Sequence, residues 1–238
     1  KDESLDNYLL GGRGLNPLVA AISAGASDMS GWLLMGLPGA AYVSGYSAGW
    51  IGIGLALGTW ASWQFVAQRL RVYTEVSGDS ITLSDYFENR FRDKSGLLRL
   101  ISAIFIFIFF FIYTASGFVA GSRLFNIVFG LEHVPGLILS AVVVVAYTLL
   151  GGFLAVSWTD LVQGLLMVFA LVGVPIGVIS QMGGTGAAFD IVRNVNPHLL
   201  NLFKNPDGTS LSLLGTLSLL AWGLGYPGMP HITARYMG

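Results

Sequence analysis

Six long apolar segments dominate this chain, and several are long enough to cross a lipid bilayer. A hydrocarbon core about 30 Å thick needs about 20 mostly apolar residues in a helix. The candidate spans run approximately over residues 17–43, 48–70, 97–129, 136–150, 155–182 and 211–230. Only 11% of the residues are charged, whereas soluble domains average about a quarter. We therefore predict an all-α membrane protein in which residues 1–238 form one transmembrane domain.

The remaining composition argues against several other classes of protein. The net charge of −1 gives no reason to expect a nucleic-acid partner, and the absence of cysteine excludes disulfides and thiolate metal sites. The three histidines lie too far apart in the sequence for a zinc motif. The glycine runs at 52–58 and 151–152 indicate helix packing and a turn, because no strand precedes them and no P-loop lysine follows. We do not expect an enzyme.

Basic residues predict the orientation of the chain, because Lys and Arg accumulate on the cytoplasmic side of membrane proteins. If the first connector is cytoplasmic, alternation of the spans places nine of the twelve basic residues on that side. Only Arg123, Arg193 and Lys204 then lie outside. The sequence has no initiator Met and opens on a charged connector, so we expect a fragment of a multi-pass protein of the cell membrane.

A carboxylate inside the first span needs an explanation. Nine of the twelve residues from Ala20 to Gly31 are Ala, Ser or Gly, which tight helix packing would explain. Packing does not explain Asp28, because a carboxylate at the centre of a membrane helix costs about 2.5 to 3.5 kcal/mol. Arg13 precedes it by fifteen residues, about 22 Å along a straight helix. A bound cation fits better, held where the helix unwinds near Gly25 to Gly31 and frees carbonyl oxygens.

The last span carries a second interruption. The sequence "AWGLGYPGMP" (Ala221 to Pro230) places three glycines and two prolines within eight positions, and an intact helix does not tolerate that combination. Two interrupted helices, each opening its own run of spans, indicate a transporter built from inverted repeats. We predict a bundle of five plus five helices, of which this chain covers the first repeat and the first helix of the second.

Several stretches together resemble one known family. They are "YLLGGRGLNP", "SAGASDMSGWLLMGLPGA", "TLSDYFENRF", "IYTASGFVAGSRLF", "GGFLAVSWTD" and "WGLGYPGMPHI". They are similar to the sodium/solute symporter family, and specifically to its bacterial proline-transporting members. The resemblance extends over the whole chain and implies sodium-coupled import of L-proline by alternating access.

The resemblance also implies roles for individual residues. The carbonyls of Ala26 and Met29 would contribute to a sodium site, with Asp28 essential for coupling and Ser23 nearby. The residues expected to line or shape the proline pocket are Ser30, Gly31, Trp32, Tyr113, Trp222, Tyr226 and Pro230. Arg13 and Asp160 match positions that act near the cytoplasmic side, in gating or ion release.

The chemistry of the residues agrees with this implication, and two alternatives stay open. Sodium is a hard cation that prefers oxygen ligands, and proline is a zwitterion with an apolar ring that suits aromatic side chains. The first alternative is a sodium-dependent carrier of another small solute. The second is a membrane sensor that binds a solute without transporting it. A channel is disfavoured, because the spans carry few acidic residues and no repeated filter motif.

Overall fold

The computed structural model describes residues 5–238, except for the side chain of residue 34. Within these residues the fold is helical and contains no β-strand, only an isolated antiparallel bridge between Lys204 and Ser210. The predicted all-α class is therefore confirmed. The helices are α1 (Leu5–Leu10), α2 (Pro17–Asp28), α3 (Leu37–Ser44), α4 (Gly49–Ser62), α5 (Gln68–Val76), α6 (Leu83–Phe91), α7 (Leu97–Phe129), α8 (His133–Gln181), α9 (Thr185–Val195), α10 (Leu213–Leu220) and α11 (Pro230–Met237).

The first apolar segment consists of two helices separated by a break. Helix α2 begins with Asn16 as its N-cap, whose side chain accepts a hydrogen bond from the Leu18 amide, and with Pro17 in the first turn. It ends at Asp28, and Met29 and Ser30 are not helical. A wide π-type turn over Trp32–Gly36 then leads into α3. The break thus lies inside the small-residue stretch, near the end of the range that the sequence indicates.

The final apolar segment is also divided. Helix α10 tightens into a 3₁₀ helix over Ala221–Gly228, and Met229 is extended with a ψ of 110°. Helix α11 then resumes at Pro230, where the missing amide hydrogen of proline costs nothing in a first turn. The helical path therefore continues to Met237, seven residues beyond the end of the span expected from hydropathy.

Two helices meet the length and hydropathy needed to cross a membrane. Helix α7 and helix α8 each contain a window with a mean hydropathy of 2.4, and 0% and 6% of the residues in those windows are buried within the chain. Because these apolar helices are exposed rather than buried as core helices of a soluble domain are, they indicate a membrane protein. The first and last apolar segments are divided by the breaks described above, and the second is divided by a π-type turn at Trp63–Ala67 between α4 and α5.

Helix α8 carries a sharp change of direction at Gly152, which separates the fourth and fifth apolar segments. Its backbone angles are φ 58° and ψ −157°, a conformation that favours glycine. The Tyr8 hydroxyl donates hydrogen bonds to the carbonyl oxygens of Thr148 and Leu149, at 3.1 and 3.4 Å. These bonds help to satisfy carbonyl groups that lie just before the interruption in the helix.

The chain divides into two compact units. Unit 1 contains the residues up to Gly31, Ala67–Val162 and Pro230–Gly238, and unit 2 contains Trp32–Val66 and Gln163–Met229. The chain leaves unit 1 directly after the first break and re-enters it directly after the second. Both helix interruptions are therefore points where the chain passes from one unit to the other.

Close backbone contact holds part of unit 2 together. A Cβ atom added at Gly58 would lie 2.1 Å from the Gly223 carbonyl oxygen, and one added at Gly54 would lie 2.4 Å from the Leu220 carbonyl oxygen. Gly54 and Gly58 are one turn apart on α4, the small-xxx-small spacing that allows membrane helices to approach closely. Within the run at 52–58, Gly54 and Gly58 thus provide the helix packing that the sequence indicates.

We expect Gly58→Ala to destabilise the protein, because the added methyl group must push α4 away from the 3₁₀ helix. Overpacking of this kind typically costs about 1–3 kcal/mol. Gly52→Ala is the matched control, since a Cβ at Gly52 would meet no atom within 4 Å. Thermal unfolding of the purified proteins in detergent measures the difference. Equal melting temperatures for the two variants would contradict the proposed contact.

Candidate functional site

The first break places Asp28 at the end of α2. The Met29 amide still donates to the carbonyl oxygens of Ala26 and Gly25, at 3.2 and 3.3 Å, so the backbone leaves the helix only after this residue. Met29 itself adopts φ −67° and ψ 90°. The Asp28 side chain is 26% exposed. Ala26, Asp28 and Met29, three predicted sodium-site residues, therefore lie together at the break within unit 1.

His231 faces Asp28, and it is not among the site residues predicted from the sequence. Its Nε2 atom lies 3.8 Å from Asp28 Oδ1. The imidazole ring packs against the rings of Phe110 and Tyr113, with centroids 5.5 and 5.3 Å apart. Neither ring nitrogen has a hydrogen-bond partner among residues 5–238. The available signal was its position directly after Pro230, at the second break.

Tyr113 supports the first break from helix α7. Its hydroxyl donates a hydrogen bond to the Ser27 carbonyl oxygen at 3.0 Å. Ser27 precedes Asp28, so its carbonyl belongs to the last turn of α2, where intrahelical donors run out. Tyr113 therefore satisfies a backbone acceptor beside the carboxylate. Tyr113 is predicted from the sequence to line the substrate pocket, and within unit 1 the structure places it at the break.

A buried polar network lies about one helical turn before Asp28 on α2. The Arg235 guanidinium binds Asp160 Oδ2 at 2.8 Å and the Ser23 hydroxyl oxygen at 2.7 Å. The same carboxylate oxygen accepts hydrogen bonds from the hydroxyls of Ser23, at 2.6 Å, and Ser27, at 3.2 Å. The charged side chains are only 9% and 13% exposed. The network joins α2, α8 and α11, and it contains both Ser23 and Asp160 from the predicted set.

Arg235 is not among the predicted site residues, because the sequence alone indicates only a charge on the cytoplasmic side. A buried arginine needs an anionic partner, but no sequence pattern selects Asp160, which lies 75 positions earlier. Its position on α11, five residues after Pro230, was the only signal in the sequence.

Arg13 belongs to a separate polar cluster in unit 1. Its guanidinium binds Asp79 Oδ1 at 2.9 Å and the Ser80 carbonyl oxygen at 3.0 Å. It also donates to the Thr74 hydroxyl and to the Met237 carbonyl oxygen, at 3.1 and 3.3 Å. Arg13 itself has a φ of 55° and follows two glycines that also have positive φ. This turn directs the arginine to the end of α11 and to the connector between α5 and α6.

Of the aromatic residues of unit 2 that are predicted to line the substrate pocket, two are partly exposed and one is buried. Trp32 and Trp222 stack with ring centroids 5.0 Å apart and an interplanar angle of 12°. They are 41% and 44% exposed, so part of each indole surface is accessible. Tyr226 is only 7% exposed. The structure thus brings together the two tryptophans, one from each interrupted segment.

The remaining predicted residues lie at the ends of the breaks. Ser30 and Gly31 follow Met29 and are partly exposed, and Pro230 opens α11. No group of three or more His, Asp or Glu side chains suited to a metal ion occurs within residues 5–238. Any cation at the first break would therefore rely on backbone and hydroxyl oxygens in addition to one carboxylate.

Comparison with known proteins identifies the family. The model of the sodium:solute symporter family matches residues 8–238. The chain therefore belongs to the sodium:solute symporter family. No match was found among solved structures.

Several curated relatives of this chain are proline transporters. The chain is 55% identical over 237 residues to the high-affinity proline transporter PutP of Bacillus subtilis, covering 100% of this chain and 49% of that protein. It is 52% identical to the sodium/proline symporter of Escherichia coli, covering 99% of this chain and 46% of that protein. It is 51% identical to the osmoregulated proline transporter OpuE of Bacillus subtilis, covering 100% and 47%. The chain thus spans about half the length of the curated relatives that it matches.

Proposed function

We propose that this chain is part of a sodium-coupled symporter that imports L-proline across the cell membrane by alternating access. The observation that carries the proposal is the broken helix α2, which ends at a carboxylate inside an apolar segment. The names of relatives that are 51–55% identical over essentially the whole chain support proline as substrate and sodium as the coupling ion. No covalent bond changes in such a process, so the protein is a transporter and not an enzyme.

The sodium ion binds at the first break, near Ala26, Asp28 and Met29. A break exposes carbonyl oxygens, which are tolerated at membrane depth where they meet an ion or line a cavity. Asp28 adds the negative charge that offsets the cost of dehydrating a cation. Tyr113 holds the preceding carbonyl of Ser27, so it fixes the end of the helix. Ser23 acts one turn away, through its bond to Asp160.

Proline binds through the aromatic residues of the interrupted segments. The accessible faces of Trp32 and Trp222 suit the apolar pyrrolidine ring and the ammonium group, which is attracted to an aromatic face. Tyr226 is buried, so it shapes the site through packing and does not present a large contact surface to the substrate. Ser30, Gly31, Tyr113 and Pro230 remain predictions as substrate-binding residues.

The network of Ser23, Asp160 and Arg235 acts as a gate on the cytoplasmic side. It joins the first half-helix to the half-helix that follows the second break. An ion pair that can form and open is a two-state element of the kind that alternating access needs. Arg13 contributes in the same way, since it ties the Met237 carbonyl to the cytoplasmic connector.

The protein crosses the membrane several times, with five-helix inverted repeats and an N-terminal connector in the cytoplasm. Movement of one sodium charge through 100 mV supplies about 2.3 kcal/mol, which supports about fortyfold accumulation of proline at 1.4 kcal/mol per tenfold. A sodium concentration gradient adds to this driving force.

Uptake into vesicles tests the proposal. The protein at its natural length, reconstituted in liposomes, should accumulate labelled proline when an inward sodium gradient is imposed, and not when potassium replaces sodium. Inhibition of labelled proline uptake by other amino acids, sugars and pantothenate identifies the substrate. If one of these solutes inhibits at a lower concentration than unlabelled proline does, the result would favour a sodium-dependent carrier of that solute. Sodium-dependent proline binding without uptake would favour the sensor.

We expect Trp222→Ala to weaken proline binding by at least tenfold, because it removes one of the two stacked indoles. Tyr226→Ala should have an effect in the same direction, and sodium affinity measured without proline should change less in both variants. Trp60→Ala is a matched control, since Trp60 is an exposed aromatic residue of the same unit. Equilibrium binding of labelled proline measures the effect. Wild-type affinity in Trp222→Ala would assign the tryptophan pair to packing.

A further inference from the structure

A basic surface on unit 1 lies directly beside the start of helix α7. It consists of Arg90, Arg92 and Lys94, at the end of α6 and in the connector that follows, and all of them are exposed. The first residue of the 33-residue apolar helix is Leu97, three positions after Lys94. Leu97 and Leu100 are 54% and 57% exposed. The chain therefore changes from exposed cations to an exposed apolar helix within about one helical turn.

The acidic residues around this surface are already engaged. Asp85 and Glu88 both form ion pairs with Arg99, at 2.9 and 3.3 Å. Asp93 accepts hydrogen bonds from the Ser95 side chain and amide and from the Leu98 amide. These bonds lower the pKa of Asp93, chiefly through the Ser95 hydroxyl, so its charge stays at the N-terminus of α7, where it is favourable.

The three cations, in contrast, form no ion pair with any acidic residue in the described part of the chain. Within residues 5–238, neither Arg92 nor Lys94 lies within 4.0 Å of a carboxylate oxygen. Arg90 lies over the Tyr73 ring, 5.1 Å from its centroid, which fixes α6 against α5. Two positive charges next to an apolar helix are thus without an ion-pair partner among residues 5–238.

An apolar side chain accompanies the charges. Phe91 is 67% exposed and lies between Arg90 and Arg92, and Phe87, one turn earlier on α6, is 36% exposed. A short amphipathic helix with exposed aromatic and basic residues is typical of a segment that lies in the membrane interface. Because this segment directly precedes α7, the order of the chain favours a position near the lipid headgroups.

We propose that Arg92 and Lys94 bind the phosphate-bearing headgroup of an anionic phospholipid, with Phe91 inserted among the adjacent acyl chains. Charge complementarity selects an anionic headgroup over a zwitterionic one, and the start of α7 fixes the level of the bilayer at which it binds. The lipid lies in the cytoplasmic leaflet, and this assignment of the leaflet is the one part of the inference that rests on the orientation given under the proposed function. Each basic residue near an anionic surface contributes about fivefold to the affinity.

Native mass spectrometry of the protein at its natural length, purified with equal amounts of phosphatidylglycerol and phosphatidylcholine, tests this inference. The wild-type protein should retain phosphatidylglycerol preferentially, and Arg92→Gln/Lys94→Gln should reduce its affinity by at least tenfold. Phe91→Ser should reduce it less. The control is Arg193→Gln/Lys204→Gln, which removes two cations from α9 and from the segment between α9 and α10 and should retain the lipid. The charge-preserving Arg92→Lys/Lys94→Arg should also retain it.

Three outcomes would overturn the inference. They are equal lipid retention by Arg92→Gln/Lys94→Gln and the wild-type protein, equal loss of retention in the control pair, and displacement of the lipid by millimolar glycerol 3-phosphate. The last would identify a site for free phosphate rather than for a membrane lipid. Proline uptake measured in phosphatidylcholine liposomes is a separate readout. Absence of uptake by the wild-type protein would reject the transport function and leave the lipid measurement intact.

Discussion

Asp28→Asn should raise the sodium concentration for half-maximal proline uptake by more than tenfold. The substitution keeps the size of the side chain but removes the negative charge at the break after α2, and a loss above about 1.4 kcal/mol in sodium binding corresponds to that factor. Proline affinity should fall mainly through linkage, because the state that binds proline well is populated less when sodium binds weakly. High sodium should therefore restore part of the proline affinity. A sodium titration of initial uptake rates measures both effects.

Two further variants separate charge from geometry at this position. Asp28→Glu retains the charge on a longer side chain, so it should keep more function than Asp28→Asn if charge dominates. Asp190→Asn is the matched control, because Asp190 is an exposed carboxylate paired with Arg193. If Asp28 only packed against its neighbours, Asp28→Asn would leave the sodium dependence of uptake unchanged, and the neutral Asn side chain would cost less to bury. Unaltered half-saturation by sodium in a well-folded Asp28→Asn protein would remove Asp28 from the sodium site.

The features that could be predicted from sequence depend on local chemistry. The helical class follows from the apolar segments, and the two interruptions follow from runs of small residues, glycine and proline, which disfavour a continuous helix wherever they occur. Asp28 could be selected because a carboxylate in an apolar segment needs compensation. Each of these inferences uses residues that lie within one helix length of each other.

The partners of the site residues could not be predicted, because they come from distant parts of the chain. His231 reaches Asp28 from 203 positions away, and Arg235 reaches Ser23 from 212 positions away. Composition does not indicate which basic residue pairs with which acidic residue. Packing of α11 beside α2 decides the pairing. The resemblance to a family supplied Asp160, but it did not supply the arginine that binds it.

The largest effect on stability should come from Asp160→Asn. Loss of this carboxylate leaves the guanidinium of Arg235 buried without its counter-charge, and breaking one partner of a buried ion pair typically costs about 3–5 kcal/mol. It also weakens the hydrogen bonds that Asp160 Oδ2 accepts from Ser23 and Ser27. We expect a large fall in melting temperature and in uptake. Asp190→Asn removes half of an exposed pair and should change stability by less than about 1 kcal/mol.

The double variant Asp160→Asn/Arg235→Gln distinguishes a gate from a structural pair. Removal of both charges relieves the buried, unpaired guanidinium, so the double variant should recover much of the melting temperature lost in Asp160→Asn. A gate needs the ion pair itself to close the cytoplasmic side, so uptake should stay low although the protein is stable. Melting curves and initial uptake rates on the same preparations provide the comparison. Recovery of uptake together with stability would mean that the pair supports the fold and that opening and closing depend on other contacts, of which the Arg13 cluster is the next to test.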